Sequence, residues 1–244
     1  MKEGWTFRVP RHEVSLAGHP VEVGKIVCVG RNYARHNVEM GAEADADPVF
    51  FLKPPTALLA GPNLRVSVPA TYGELHHEVE LAVLVGRRAC GLDPAGAPDC
   101  VAGFAVALDL TLRDLQAKAK KDGGPWDLAK GFDGSAPIGD FVRGETVADP
   151  HDLAIRLEVN DQVRQSARTS SMIHRVPDLI AYVSRFMTLE PGDVLLTGTP
   201  EGVGPLVDGD RLVAEIEGLP TLALEITRAA GGVIEVSSGV DRDA

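Results

Sequence analysis

Glu78 and Glu80 stand two residues apart at the head of an apolar run, LHHEVELAVLVG, residues 75–86. In an extended chain, residues i and i+2 point to the same side, so the two carboxylates share a face. Asp109 interrupts a second apolar run, residues 101–110. Like charges inside a core need compensation, by opposite charge or by a bound cation. The acids can pair with Lys or Arg. They can also hold a hard divalent cation such as Mg²⁺, which takes oxygen ligands and keeps positions free for water and substrate. His76 shares the strand face of Glu78 and makes a mixed Zn²⁺ site conceivable, but no other His or Cys stands nearby at ligand spacing.

RNYARHNVEMG, residues 31–41, predicts a short helix closed by Gly41. On it His36 and Glu39 are i, i+3 neighbours, and a carboxylate so placed orients an imidazole for proton transfer. The same spacing is common on exposed helices without function. Lys130 follows GGPW, residues 123–126, which predicts a helix break and a mobile joint; most lysines are simply solvated. TGTPEGVG, residues 197–204, lacks the GK[ST] ending of a nucleotide loop. It predicts a tight turn that brings backbone N–H groups and Thr hydroxyls around a small anion.

Strands must hold these groups. KIVCVG, residues 25–30, predicts a strand, and PVFFLKPPTALL, residues 48–59, one or two strands broken by Pro54 and Pro55. Residues 75–86 predict a single strand. Residues 101–121 change period midway, with Thr111 placed to cap a helix and Asp114 three residues on. Asn160-Asp161 predicts a hairpin turn. Residues 176–193 predict an amphipathic helix with Pro177 in its first turn and an apolar stripe of Leu179, Ile180, Val183, Phe186 and Met187. A strand running into the 197–204 loop and a final strand pair over residues 211–227 follow. The expected class is α+β, mostly β, in one domain.

The chain has 244 residues, 44% hydrophobic and 24% charged, with a net charge of −11. That composition supports a sizeable core. Nucleic acid is not an expected partner, because the only basic cluster, LQAKAKKDGG, is short and suits a solvated helix face. No apolar run approaches a membrane span, and residues 1–14 hold no signal-like apolar stretch. Cys28, Cys90 and Cys100 lack CxxC spacing and are expected as small core residues in a reducing compartment, so the expected location is cytoplasmic.

The motifs GRNYARHNVEM, FLKPPTALL, HHEVELAVLVG, ALDLTLRDLQ, PWDLAKGFDGSAP and LLTGTPEGVG, in this order, resemble the fumarylacetoacetate hydrolase family, and within it the short acylpyruvate hydrolase branch. The resemblance spans roughly residues 25–228. It implies a mixed β-sandwich roll with a few short helices, a catalytic domain over residues 25–244 behind an N-terminal extension, 1–24, and a homodimer. It implies Mg²⁺ or Mn²⁺ on Glu78, Glu80 and Asp109, an active-site lysine at Lys130, and His36 and Glu39 as the dyad of a lid segment. Arg31, Arg113, Gln116 and Thr199 match positions lining the substrate pocket. The implied reaction is hydrolysis of the C3–C4 bond of an acylpyruvate, a 2,4-dioxo acid such as acetylpyruvate or fumarylpyruvate, to pyruvate and a carboxylic acid. Oxaloacetate decarboxylation, oxaloacetate keto–enol tautomerisation and 2-hydroxyhepta-2,4-dienedioate isomerisation are the neighbouring alternatives. In a different class stands a non-catalytic, metal-stabilised binding protein, in which His36 and Glu39 would have no role.

Overall fold

The computed structural model describes residues 10–41, 43, 48–228 and 230–238. Two six-stranded sheets carry the fold. The first runs, in spatial order, Val142–Arg143, Val101–Leu108, Val79–Val85, Val194–Leu196, Ile26–Gly30 and Val49–Lys53. The second runs Gln162–Arg168, Ala154–Val159, Arg211–Ile216, Leu222–Thr227, Leu64–Ser67 and Glu235–Ser237. Helices are few and short, and the architecture is mostly β with both parallel and antiparallel pairs. No helix among the described residues is long and apolar enough to cross a membrane.

The first sheet is buried on both faces, which explains why its strands are apolar without alternation. Leu81, Val83 and Val106 meet Leu157, Leu212 and Leu224 of the second sheet in the larger core cluster. Ala82, Leu84, Ala105 and Ala107 face a smaller cluster on the other side, with Val14 and Val23 among its members. Val14 belongs to a hairpin of Glu13–Leu16 and His19–Glu22. Residues 1–9 of the expected extension lie outside the described residues. The period of two then decides where the acids go. Glu80 has the parity of Ala82, and Asp109 that of Ala107, so both carboxylates lie on the alanine-lined face, where small side chains leave room.

Several expectations change. Residues 75–86 form two strands: Leu75–His77 pairs with Thr111–Leu112 and Gly204–Leu206, and Val79–Val85 enters the large sheet. Glu78 is the break between them. Thr111 is no helix cap. It is a buried strand residue whose hydroxyl lies 3.3 Å from Glu78 Oε1, and the helix Arg113–Asp122 begins after Leu112 without a side-chain cap. The amphipathic helix expected over residues 176–193 ends at Ser184, so Phe186 leaves the apolar stripe; it is exposed and tilts against Tyr182 at 5.3 Å. Cys28 and Cys100 are buried as expected, but Cys90 is exposed. The Asn160-Asp161 turn has both residues at positive φ, 51° and 61°, the requirement of a type I′ hairpin.

Candidate metal and catalytic site

Glu78, Glu80 and Asp109 converge: one oxygen of each lies within 4.8 Å of the others, and all three residues are buried. Their compensation is divided. Glu78 is paired twice, with Arg113 Nη2 at 2.6 Å and Lys130 Nζ at 2.9 Å. Burial would push its carboxyl up, but Lys130 and Arg113 outweigh burial and hold it well below the usual carboxylate range. Lys130 also donates to Asp109 Oδ2 at 2.6 Å. Burial alone would lower the Lys130 ammonium; Asp109 and Glu78 reverse that and raise it. Pairing with Lys and Arg therefore accounts for part of the acid cluster.

It does not account for Glu80. No cationic side chain pairs with it among the described residues, and its one hydrogen bond comes from the Gly198 N–H at 2.7 Å. Burial, then Asp109 and Glu78, drive its pKa well above the usual range. Asp109 Oδ1 is buried and accepts no hydrogen bond of good geometry, although the Lys53 ammonium stands 2.8 Å away. An uncompensated carboxylate, an underused oxygen and an all-oxygen donor set fit Mg²⁺ or Mn²⁺. His76 turns away: its ring bonds Glu74 at 3.0 Å and receives Arg113 Nε at 3.3 Å, so the mixed Zn²⁺ site is not assembled.

His36 and Glu39 lie on the helix Ala34–Glu39, with His36 Nδ1 3.4 Å from Glu39 Oε2. His36 lines the same cleft as the three acids, as do Arg31, Arg113, Gln116, Lys130 and Thr199. Arg31 sits at φ 66° on the rim, a backbone conformation uncommon for a long side chain. Gln116 is buried and accepts Arg113 Nη1 at 2.6 Å. The residues expected to hold metal and substrate, with His36 and Lys130, thus line one cleft; Glu39 does not line it and stands behind His36. The 197–204 loop does bind anions with its backbone, but they are the chain's own. Gly198 N–H holds Glu80, and Gly202 N–H holds Glu39 at 3.1 Å. Gly198 can do this because φ is +94° there and an added Cβ would stand 2.8 Å from Asn32 Cβ.

Two residues were not foreseen. Lys53 is fully buried, ion-paired to Asp109 and hydrogen-bonded to the Lys130 carbonyl. Gln165 reaches in from the second sheet. Its Oε1 accepts the Val79 N–H at 3.0 Å and lies 3.1 Å from His77 Nδ1. Its Nε2 donates to Thr199 Oγ1 at 2.8 Å and to the Pro200 carbonyl at 2.9 Å. Thr199 Oγ1 in turn donates to the Val79 carbonyl at 2.8 Å. One amide therefore ties the acid-bearing strand to the 197–204 loop, with all its hydrogen-bonding positions used.

Known proteins share this arrangement of chain. The fumarylacetoacetate (FAA) hydrolase C-terminal family model matches residues 25–227. The mitochondrial oxaloacetate tautomerase FAHD1 of Bos taurus is 50% identical over 208 residues, 85% of this chain and 94% of its own. The oxaloacetate tautomerase YcgM of Escherichia coli is 49% identical over 207 residues, 84% and 92%. Among solved structures, fumarylpyruvate hydrolase from Pseudomonas aeruginosa, in complex with Mn²⁺ and pyruvate, superposes with a TM-score of 0.89 at 36% identity, covering 93% of this chain and 100% of that one. With the fold, the acid cluster and these likenesses in agreement, the chain belongs to the fumarylacetoacetate hydrolase family.

Proposed function

We propose that the protein is a divalent-metal-dependent hydrolase that cleaves the C3–C4 bond of acylpyruvates to pyruvate and a carboxylic acid. The observation that carries this reading is His36, with Glu39 3.4 Å behind it, lining the same cleft as Glu78, Glu80 and Asp109. Mg²⁺ or Mn²⁺ held by those acids supplies Lewis-acid polarisation of the 2-oxo group and a counter-charge for the pyruvate fragment. Lys130 places a fixed positive charge beside that fragment. Arg113, already bonded to Glu78 and Gln116, presents a guanidinium to the substrate carboxylate. His36, oriented by Glu39, removes a proton from the water that attacks the 4-oxo carbon. The Mn²⁺ and pyruvate in the Pseudomonas relative support the choice of metal and product.

Oxaloacetate tautomerisation is the second reading, favoured by the activity of the two relatives near 50% identity. It needs a proton moved on and off C3, with no attacking water, and His36 is equally placed for that. The test is a panel of acetylpyruvate, fumarylpyruvate and oxaloacetate with Mg²⁺ and Mn²⁺, run on the parent chain and on His36→Ala. Cleavage of a 2,4-dioxo acid, lost with His36→Ala and on chelation, supports hydrolysis. Tautomerisation without cleavage moves the assignment to the second reading. Unfolding on chelation with no turnover of any substrate leaves a metal-stabilised binding protein.

A further inference from the structure

His76 does not line the cleft, yet it touches a cation that does. Arg113 Nε donates to His76 Nδ1 at 3.3 Å, Nη1 to Gln116 Oε1 at 2.6 Å and Nη2 to Glu78 Oε1 at 2.6 Å. A guanidinium carries five N–H donors in one plane. Acceptors on three separate residues take one donor from each nitrogen, so the plane is held on every side. One N–H on each terminal nitrogen is left, enough for the two oxygens of a carboxylate. Gln116 and Glu78 hold the fork from within the cleft, and His76 holds it from outside.

Strand pairing puts the imidazole there. His76 stands opposite Thr111, two residues before Arg113, where Leu75–His77 pairs with Thr111–Leu112. Glu74 then secures the start of the Arg113–Asp122 helix. Its carbonyl accepts the Arg113 N–H at 2.8 Å, and its own N–H donates to Asp114 Oδ2 at 3.1 Å. The approach is close: Gly73 has φ +83°, and a Cβ on it would collide with the Asp114 carboxylate. The Glu74 carboxylate meets His76 Nε2 at 3.0 Å. The tautomer follows from these partners. Nδ1 accepts from Arg113, so the ring proton sits on Nε2 and is donated to Glu74. The side chains of His76 and Arg113 are each 13% exposed, which leaves water a poor substitute for the lost bond.

We infer that His76 is a positioning residue for substrate binding: with its proton held on Nε2 by Glu74, it fixes the plane of the guanidinium that receives the substrate carboxylate. The inference rests on the 2-oxo-acid reading above and adds how that reading's carboxylate-binding group is held. Without His76 the fork turns about its two remaining bonds, and its free N–H groups lose their fixed direction.

The test is calorimetric binding of pyruvate to the Mn²⁺-loaded protein, with circular dichroism to verify each fold. His76→Leu is expected to bind pyruvate about tenfold more weakly while keeping its Mn²⁺ affinity. His76→Asn, whose amide oxygen stands near the Nδ1 position, should recover most of the loss. Arg113→Lys keeps the charge but has no Nε, so on that background His76→Leu should cost nothing further. Glu74 is exposed, and Glu74→Lys offers Nε2 a donor in place of an acceptor, which turns the tautomer; it should weaken pyruvate binding severalfold in a folded chain. Glu74→Lys decides alone if His76→Leu does not fold. Parent-level pyruvate binding in either folded variant, a loss that persists on the Arg113→Lys background, or Mn²⁺ affinity lost along with pyruvate overturns the positioning role. If the parent chain itself takes up no pyruvate, the 2-oxo-acid reading falls instead.

Discussion

Lys53 Nζ lies 2.8 Å from Asp109 Oδ1, and neither side chain reaches solvent. Strand pairing brings them together: Lys53 is in register with Ile26 on the sheet edge, while Asp109 follows Leu108 two strands beyond Val194–Leu196. The ammonium also donates to the Lys130 carbonyl, so one buried cation braces both an acid of the cluster and the lysine opposite it.

Removing one member of a buried pair strands the other. Lys53→Met is expected to lower unfolding free energy by about 3 kcal/mol in metal-free protein, measured by urea titration. An unchanged midpoint would show that Asp109 finds compensation elsewhere.

The Gln165 amide is a positioning group for both Thr199 and the acid-bearing strand. Gln165→Leu leaves the Val79 N–H and the Pro200 carbonyl buried without partners, at about 1–3 kcal/mol for each unsatisfied group. Turnover is expected to fall about tenfold through kcat. Gln165→Glu keeps the acceptor for Val79 but sets an oxygen against the Pro200 carbonyl, so it should recover stability only in part. Wild-type stability and kcat in Gln165→Leu would remove the amide from the account.

Stability should also fall in mild acid. His151 accepts the Val176 N–H through Nε2 at 3.2 Å at the start of the Val176–Ser184 helix, and burial lowers its pKa, with Asp149 opposing. His76 and His77 are lowered by burial as well. With folded pKa values below the unfolded value of about 6.5, the unfolded chain binds more protons as pH drops. The contribution is complete above that pH and is lost as pH falls toward the folded values. Urea midpoints at pH 7.5 and 5.5 measure this. His151→Gln keeps an acceptor for Val176 without titrating, so its midpoint should drift less than the parent's; an equal drift would clear His151.

The site was more legible in the sequence than its supports. Glu78, Glu80 and Asp109 stand out because a charge inside an apolar run demands an explanation. Lys53 ends an apolar strand just before two prolines, where a solvated lysine is ordinary; only pairing with distant strands buries it. Gln165 sits in a hairpin strand of alternating polarity, and nothing local shows that its polar face turns to the other sheet. Thr111 and Phe186 were misplaced for a related reason. Capping and helical periodicity are local preferences, and strand pairing with Leu75–His77 and an early helix end at Ser184 overrode them.

We propose that Glu80, which has no cationic partner among the described residues, completes a divalent-cation site with Glu78 and Asp109. Titration of Mn²⁺ into chelator-treated protein, followed by calorimetry, tests it most directly, with Glu80→Gln as the comparison and circular dichroism to verify the fold. The account predicts one Mn²⁺ per chain in the parent and at least about a hundredfold weaker binding in the folded variant. A parent chain that takes up no Mn²⁺, or a Glu80→Gln chain that binds it as well as the parent, would contradict it.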